Sequence, residues 1–158
     1  SRLQRQYGDT QFGGAAIYTP QLVVDGAAQG VGSQEAKVRK LIAQAGTVRN
    51  ASGVAVQISR TADGGRNVTL DGKAGPGAEV ILVALSARET VQIGRGENGG
   101  RQVSYTNVVI DETNLGRWTG GRQAITVQPQ LLATPRADRH ALIVRQGPGG
   151  RVIGSAVI

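Results

Sequence analysis

Few residues of this chain could carry chemistry, and their spacing limits what that chemistry could be. His140 is the sole histidine, with Asp138 two positions before it. On an extended strand that spacing puts both side chains on one face, as a general base and its orienting acid require. A hydrolytic triad also needs a nucleophile, and a metal site needs several convergent ligands; neither accompanies the pair. It stands at the entrance to the apolar run Ala141-Leu142-Ile143-Val144 and reads as a strand start. Asp111 and Glu112 are adjacent, so on a strand they would point to opposite faces, and they read as a structural turn rather than an acid–base couple.

Gly94-Arg95-Gly96-Glu97-Asn98-Gly99 matches G-x-G-x-x-G letter for letter. A dinucleotide site needs that string between a strand and a helix, so that the helix N-terminus meets the pyrophosphate. Here the strand-like Gln102-Val103-Ser104-Tyr105-Thr106 follows, and Asn98-Gly99 reads as a hairpin turn, because both residues tolerate positive φ. Trp118 is the sole tryptophan. Its simplest role is the largest packing element of a β unit; a ligand platform is the lesser reading. No catalytic, cofactor-binding or metal-ligating residue emerges, and no cofactor is expected.

The most organised stretch is Tyr18-Thr19-Pro20-Gln21-Leu22-Val23-Val24-Asp25-Gly26. A proline stands before a run of β-formers that ends in an Asp-Gly turn. Lacking an N–H, proline reads here as an edge position, a strand start or a cis peptide. Ahead of it, Ser1 to Tyr7 resembles the tail of a helix, Gly8 to Gly14 a loop, and Ala15 to Tyr18 a short strand. After it, Ser33 is a good N-cap for a helix from Gln34 to Ala45. Val38, Leu41, Ile42 and Ala45 form its apolar stripe, Lys37, Arg39 and Lys40 its solvated face, and Gly46 its stop.

Beyond Gly46 the pattern turns to short strands. Val54, Val56 and Ile58 alternate as a half-buried strand does, and Asn67 to Leu70 lies between two Gly-containing turns. Val80 to Leu85 is continuously apolar, which suits a central strand covered on both faces. Further strands are expected at 91–93, 102–110, around Trp118, and at 124–128, 141–145 and 151–158. Turn residues every ten or so positions argue for an antiparallel sandwich or barrel. The fold class is therefore α+β, mostly β, with one unit over residues 1–46 and a β-rich unit over 47–158.

Composition narrows the partners. The 158 residues are 39% hydrophobic but only 3% aromatic, so the core must be built from Val, Ile, Leu and Ala. The net charge of +7 is spread out, five basic groups against three acidic in 1–48 and thirteen against eight in 49–158. A nucleic-acid interface needs a clustered basic face, so nucleic acid is not expected as a partner. Weak attraction to anionic surfaces follows from charge alone, which leaves peripheral membrane association open. No apolar run reaches the roughly 20 residues that span a bilayer. There is no cysteine and no methionine. The chain therefore reads as a processed product or as a piece of a longer precursor.

In thioredoxin-like domains a cis-proline precedes a strand beside the active site, and the backbone of the residue before it pairs with an extended substrate. The Tyr18-to-Gly26 string with Val31-Gly32-Ser33 and the following helix resembles that segment. Together with Gly94-Arg95-Gly96-Glu97-Asn98 leading to Tyr105-Thr106-Asn107-Val108-Val109, and with Leu115-Gly116-Arg117-Trp118, it resembles the bacterial extracytoplasmic family catalogued as domain of unknown function twelve-twenty-three. The resemblance implies a partial thioredoxin-like unit of two strands and one or two helices, followed by a β-rich domain. It implies a periplasmic or extracellular location. Tyr18, Thr19 and Pro20 become the expected partner-binding residues, and Arg95, Glu97, Asn98 and Trp118 an expected surface-loop group of the β unit.

Thiol chemistry needs a thiolate, which this chain lacks. The expected role is thus a non-catalytic interaction subunit of a larger assembly, docking a protein partner through the incomplete thioredoxin-like half. One alternative is the C-terminal part of a thiol–disulfide oxidoreductase whose cysteines lie upstream. Another is a carbohydrate- or polymer-binding sandwich that uses Trp118.

Overall fold

The fold, taken from a computed structural model, is described for residues 2–14, 18–96 and 99–158. Helix α1 (Arg2–Gln11) opens it, followed by the hairpin of β1 (Gln21–Val24) and β2 (Ala28–Val31) and by helix α2 (Glu35–Ala51). Seven strands follow, all antiparallel, with one 3-10 turn at Pro129–Leu132. They are β3 (Ala55–Arg60), β4 (Arg66–Asp71), β5 (Ala78–Gln92), β6 (Gln102–Trp118), β7 (Gln123–Val127), β8 (Arg139–Arg145) and β9 (Val152–Val157). Their sheets have the orders β3-β4-β7 and β6-β5-β8-β9. The result is α+β and mostly β, and the sheets do not close into a barrel.

The core lies between these two sheets. Val68 and Leu70 of β4, Val80 and Leu82 of β5, Val127 of β7, and Leu142 and Val144 of β8 are fully or nearly fully buried there. The continuous apolar run of β5 has the expected cause: Val80 to Ala84 are all buried, so both faces of this central strand are covered. Val54, Val56 and Ile58 pack against the core at alternate positions, as a half-buried strand does.

Several boundaries differ from expectation. Helix α1 runs through Gly8 to Gln11, so the expected loop begins later. The strand expected at Ala15–Tyr18 falls on residues 15–17, outside the described residues, and Tyr18 itself is not in a strand. The N-cap of α2 is Gln34 rather than Ser33, with no side-chain cap bond. Gly46 does not stop α2, which runs on to Ala51 with Arg49 held by Asp25; of the expected apolar stripe Ile42 is exposed, while Ala45 is buried. The stop is Ser52-Gly53: the Ser52 hydroxyl has Arg49 O (2.6 Å) and Ile153 O (2.9 Å) within reach as alternative acceptors, and Gly53 takes φ +68°.

Residues 91–92 continue β5, and the strands expected at 102–110 and around Trp118 are one strand, β6. Asp111 and Glu112 lie within that strand, opposite Ala84 and Val83, and form no turn. Pairing with β5 along one side holds these residues extended on an edge strand, which local turn preference does not reveal.

Candidate functional site

The hairpin docks on the β unit through its turn. Asp25 (φ +48°) and Gly26 (φ +62°) supply the two positive φ values of the turn, and Ala27 N–H donates to Val24 O at 3.0 Å. The Val152 N–H at the start of β9 then donates to Asp25 O at 2.8 Å. Gly26 is pressed against Gly150, in the β8–β9 connection. From the other side, Thr10 Oγ1 of α1 donates to Gly149 O at 2.9 Å. These contacts hold α1 and the hairpin against the ends of β8 and β9.

A groove of about 780 Å³ opens between them. Thr19, Pro20, Gln21 and Val23 form one wall, Gln4 and Tyr7 of α1 the end, and Ile143, Val152 and Ser155 the side toward the β sheet. The Thr19–Pro20 peptide is cis, as the resemblance implied. Pro20 O accepts from Gly32 N at 2.8 Å, which places Pro20, Leu22 and Val24 as the residues bonded to β2. Pairing alternates along an antiparallel ladder, so the N–H and C=O of Gln21 and Val23 point away from β2. Among the described residues no strand pairs with that outer edge.

Polar side chains fix the wall. Gln4 Nε2 donates to Gln21 Oε1 (2.7 Å) and to Tyr18 O (3.3 Å), and Gln21 Nε2 donates to Gln29 Oε1 (2.7 Å). At the end of the groove, burial pushes the Tyr7 hydroxyl above the ordinary tyrosine range, opposed by the neighbouring Arg145 guanidinium. Arg145 is itself only 7% exposed and lies 3.6 Å from Glu79. Its Nε finds no hydrogen-bond partner among the described residues. Arg49 Nη1 of α2 reaches both carboxylate oxygens of Asp25, at 3.1 and 3.2 Å, and so ties the helix to the turn.

The structure thus brings Thr19 and Pro20 into the groove wall, with the carbonyl of Tyr18 held by Gln4. It separates the second expected group. Arg95 is exposed in the β5–β6 connection, while Glu97 and Asn98 lie outside the described residues. Trp118 is 0% exposed in the core, with its Nε1 donating to Gly121 O at 2.9 Å. It is not a surface-loop residue and offers no platform; packing is its role. The reason is the β5–β6 pairing, which sets Trp118 opposite Ala78, at the far end of β6 from Gln102.

The remaining motifs settle as structure. The Gly94–Gly99 string joins two paired strands with no helix after it, and Gly99 N–H donates to Gly96 O at 2.8 Å. Asp138 Oδ1 accepts from Ala87 N at 2.8 Å, so its carboxylate holds β5 rather than His140. Among the described residues no three His, Cys, Asp or Glu side chains gather as a metal site would require. No described helix is long and apolar enough to cross a membrane. Sequence reasoning missed Gln4, Tyr7 and Arg145, whose partners lie up to 138 positions away (Tyr7 to Arg145); no local signal marks them.

A family model described as "Protein of unknown function (DUF1223)" matches residues 1–145. No curated protein matches the chain. Among solved structures, the crystal structure of a protein from Agrobacterium tumefaciens is similar with a TM-score of 0.79 at 17% identity. The match covers 99% of this chain and 68% of that one. At that identity the likeness speaks for the fold alone.

Proposed function

The chain belongs to that family, and from this premise we propose that it is a non-catalytic interaction subunit of an extracytoplasmic assembly. Its docking element is the outer edge of β1, to which an extended segment of a partner protein adds as a strand. One observation carries the reading: Gln21 and Val23 direct their backbone groups away from β2 on a strand that borders the groove. Unpaired strand edges are templates for such addition, where main-chain bonds give affinity and alternate side-chain pockets give specificity. The groove supplies apolar contacts at Val23, Ile143 and Val152 and polar ones at Gln4, Gln21 and Ser155. None of the 158 residues is a cysteine, so the thiol chemistry of thioredoxin-like enzymes has no nucleophile within this chain.

Linear peptides selected on the immobilised protein from a random library test this reading. Bound peptide is expected to slow hydrogen exchange at the Gln21 and Val23 amides. Val23→Pro removes one outward N–H and is expected to abolish binding, while exchange at Leu22 and Val24 confirms an intact hairpin. Peptides that protect other surfaces, or that bind Val23→Pro as well as the parent, would refute edge pairing.

A further inference from the structure

A second cavity, of about 450 Å³, lies on the α2 side of the hairpin and shares only Asp25 and Val152 with the groove. Leu41, Ala45 and Val48, at i, i+4 and i+7 of α2, form one wall, and Ala28 of β2 and Ile153 of β9 close the others. Val48 is 50% exposed, so this apolar wall opens to solvent. The volume lies within the range of small-molecule pockets, about 300–1,000 Å³. It has no room for a partner's helix, whose diameter with side chains is about 10–12 Å.

The charges at its border do not cancel. Arg49 and Arg151 both line the cavity, with Asp25 as the one lining carboxylate. Asp25 is taken up by Arg49, and no ion pair among the described residues involves Arg151. An apolar cleft with one uncompensated guanidinium at its rim suits a ligand with a matching division: an alkyl body and one anionic head.

We infer that this cavity binds a small amphipathic anion, an alkyl chain of several carbons carrying a carboxylate, with Arg151 at the head and Leu41, Ala45 and Ile153 around the chain. Water leaves the apolar walls as the chain enters. That release is the main driving force, and the guanidinium contributes selectivity for charge.

The test is a titration of the isotopically labelled chain with butyrate, hexanoate, octanoate, 1-octanol and inorganic sulfate, followed by amide chemical shifts. The expected shifts cluster at Ala28, Ala45, Val48 and Ile153. Affinity is expected to rise about fourfold for each added methylene. Octanoate should exceed octanol by about fivefold, the scale of a partly screened ion pair. Arg151→Ala should erase that preference and leave octanol binding unchanged. Val48→Trp, at a half-exposed position on the rim, should weaken both by obstructing the mouth. Equal binding of octanol and octanoate, shifts scattered away from the cavity, indifference to chain length, or sulfate binding as tightly as octanoate would each overturn the inference.

Discussion

A Cβ placed on Gly26 would collide with the carbonyl oxygen of Gly150. The two glycines mark where the β1–β2 turn meets the β8–β9 connection, so the hairpin is seated by backbone contact. Gly26→Ala should therefore cost about 2 kcal/mol or more, combining positive φ with the clash. Gly53→Ala makes a useful control, since Gly53 has φ +68° but open space around it. Thermal unfolding of both variants should show the larger loss at Gly26; equal losses would mean that φ alone matters.

Trp118 is the largest fully buried side chain. Trp118→Ala should destabilise the β unit by about 3–5 kcal/mol, the usual cost of deleting a buried aromatic. Trp118→Phe retains much of the volume but leaves Gly121 O without its donor, and should cost less. Urea unfolding measures both. A Trp118→Ala loss below about 1 kcal/mol would contradict its placement in the core.

The outer part of the β5–β6 ribbon is held at its base by side chains from the β7–β8 connection and β8. Asp138 Oδ1 accepts from Ala87 N (2.8 Å), Arg139 donates to Asn107 Oδ1 (2.9 Å), and Arg136 pairs with Glu89 (3.1 Å). A two-stranded ribbon is marginal by itself. Asp138→Ala should speed amide exchange over residues 88–92 and 102–106, with global stability lowered by about 1 kcal/mol. Unchanged exchange in that segment would show that the ribbon holds without the Asp138 bond.

His140 should give the stability curve a slope on the acid side. Burial first, and the positive charge of Arg66 second, lower its pKa below the ordinary histidine value. The unfolded chain therefore takes up the proton at a higher pH than the folded one. Stability should fall as pH drops through the ordinary histidine range and level off below the folded-state value. His140→Gln should flatten that part of the curve. A parent and variant with parallel profiles between about pH 7 and 5 would exclude His140 as the cause.

Local patterns in the chain were sufficient for the element types. Alternation at Val54, Val56 and Ile58 and the unbroken run of Val80 to Ala84 each record which faces are covered, because covering a face requires apolar residues at its period; the stripe of α2 does so only in part, since Ala45 is buried and Ile42 is exposed. The Tyr18-to-Gly26 string likewise foretold a proline-led strand closed by an Asp-Gly turn. Element lengths were less legible. Gly46 weakens a helix by only about 1 kcal/mol, and the turn beyond it is held by distant polar partners, Asp25 for Arg49 and Ile153 O for Ser52. Two strands as long as β5 and β6 depend on each other for pairing, and a local window sees neither partner.

What the sequence determined alone was the kind of molecule: an aliphatic-cored, mostly β chain with no thiol and an unusual proline strand near its start. Only the tertiary structure decided which parts meet. It buried Trp118, drew Asp138 to Ala87, set Tyr7 beside Arg145, and made Gln21 and Val23 of β1 line one groove with Val152 and Ser155. Those encounters join residues up to 138 positions apart (Tyr7 with Arg145), and they arise from how whole sheets and helices pack, which no short segment encodes.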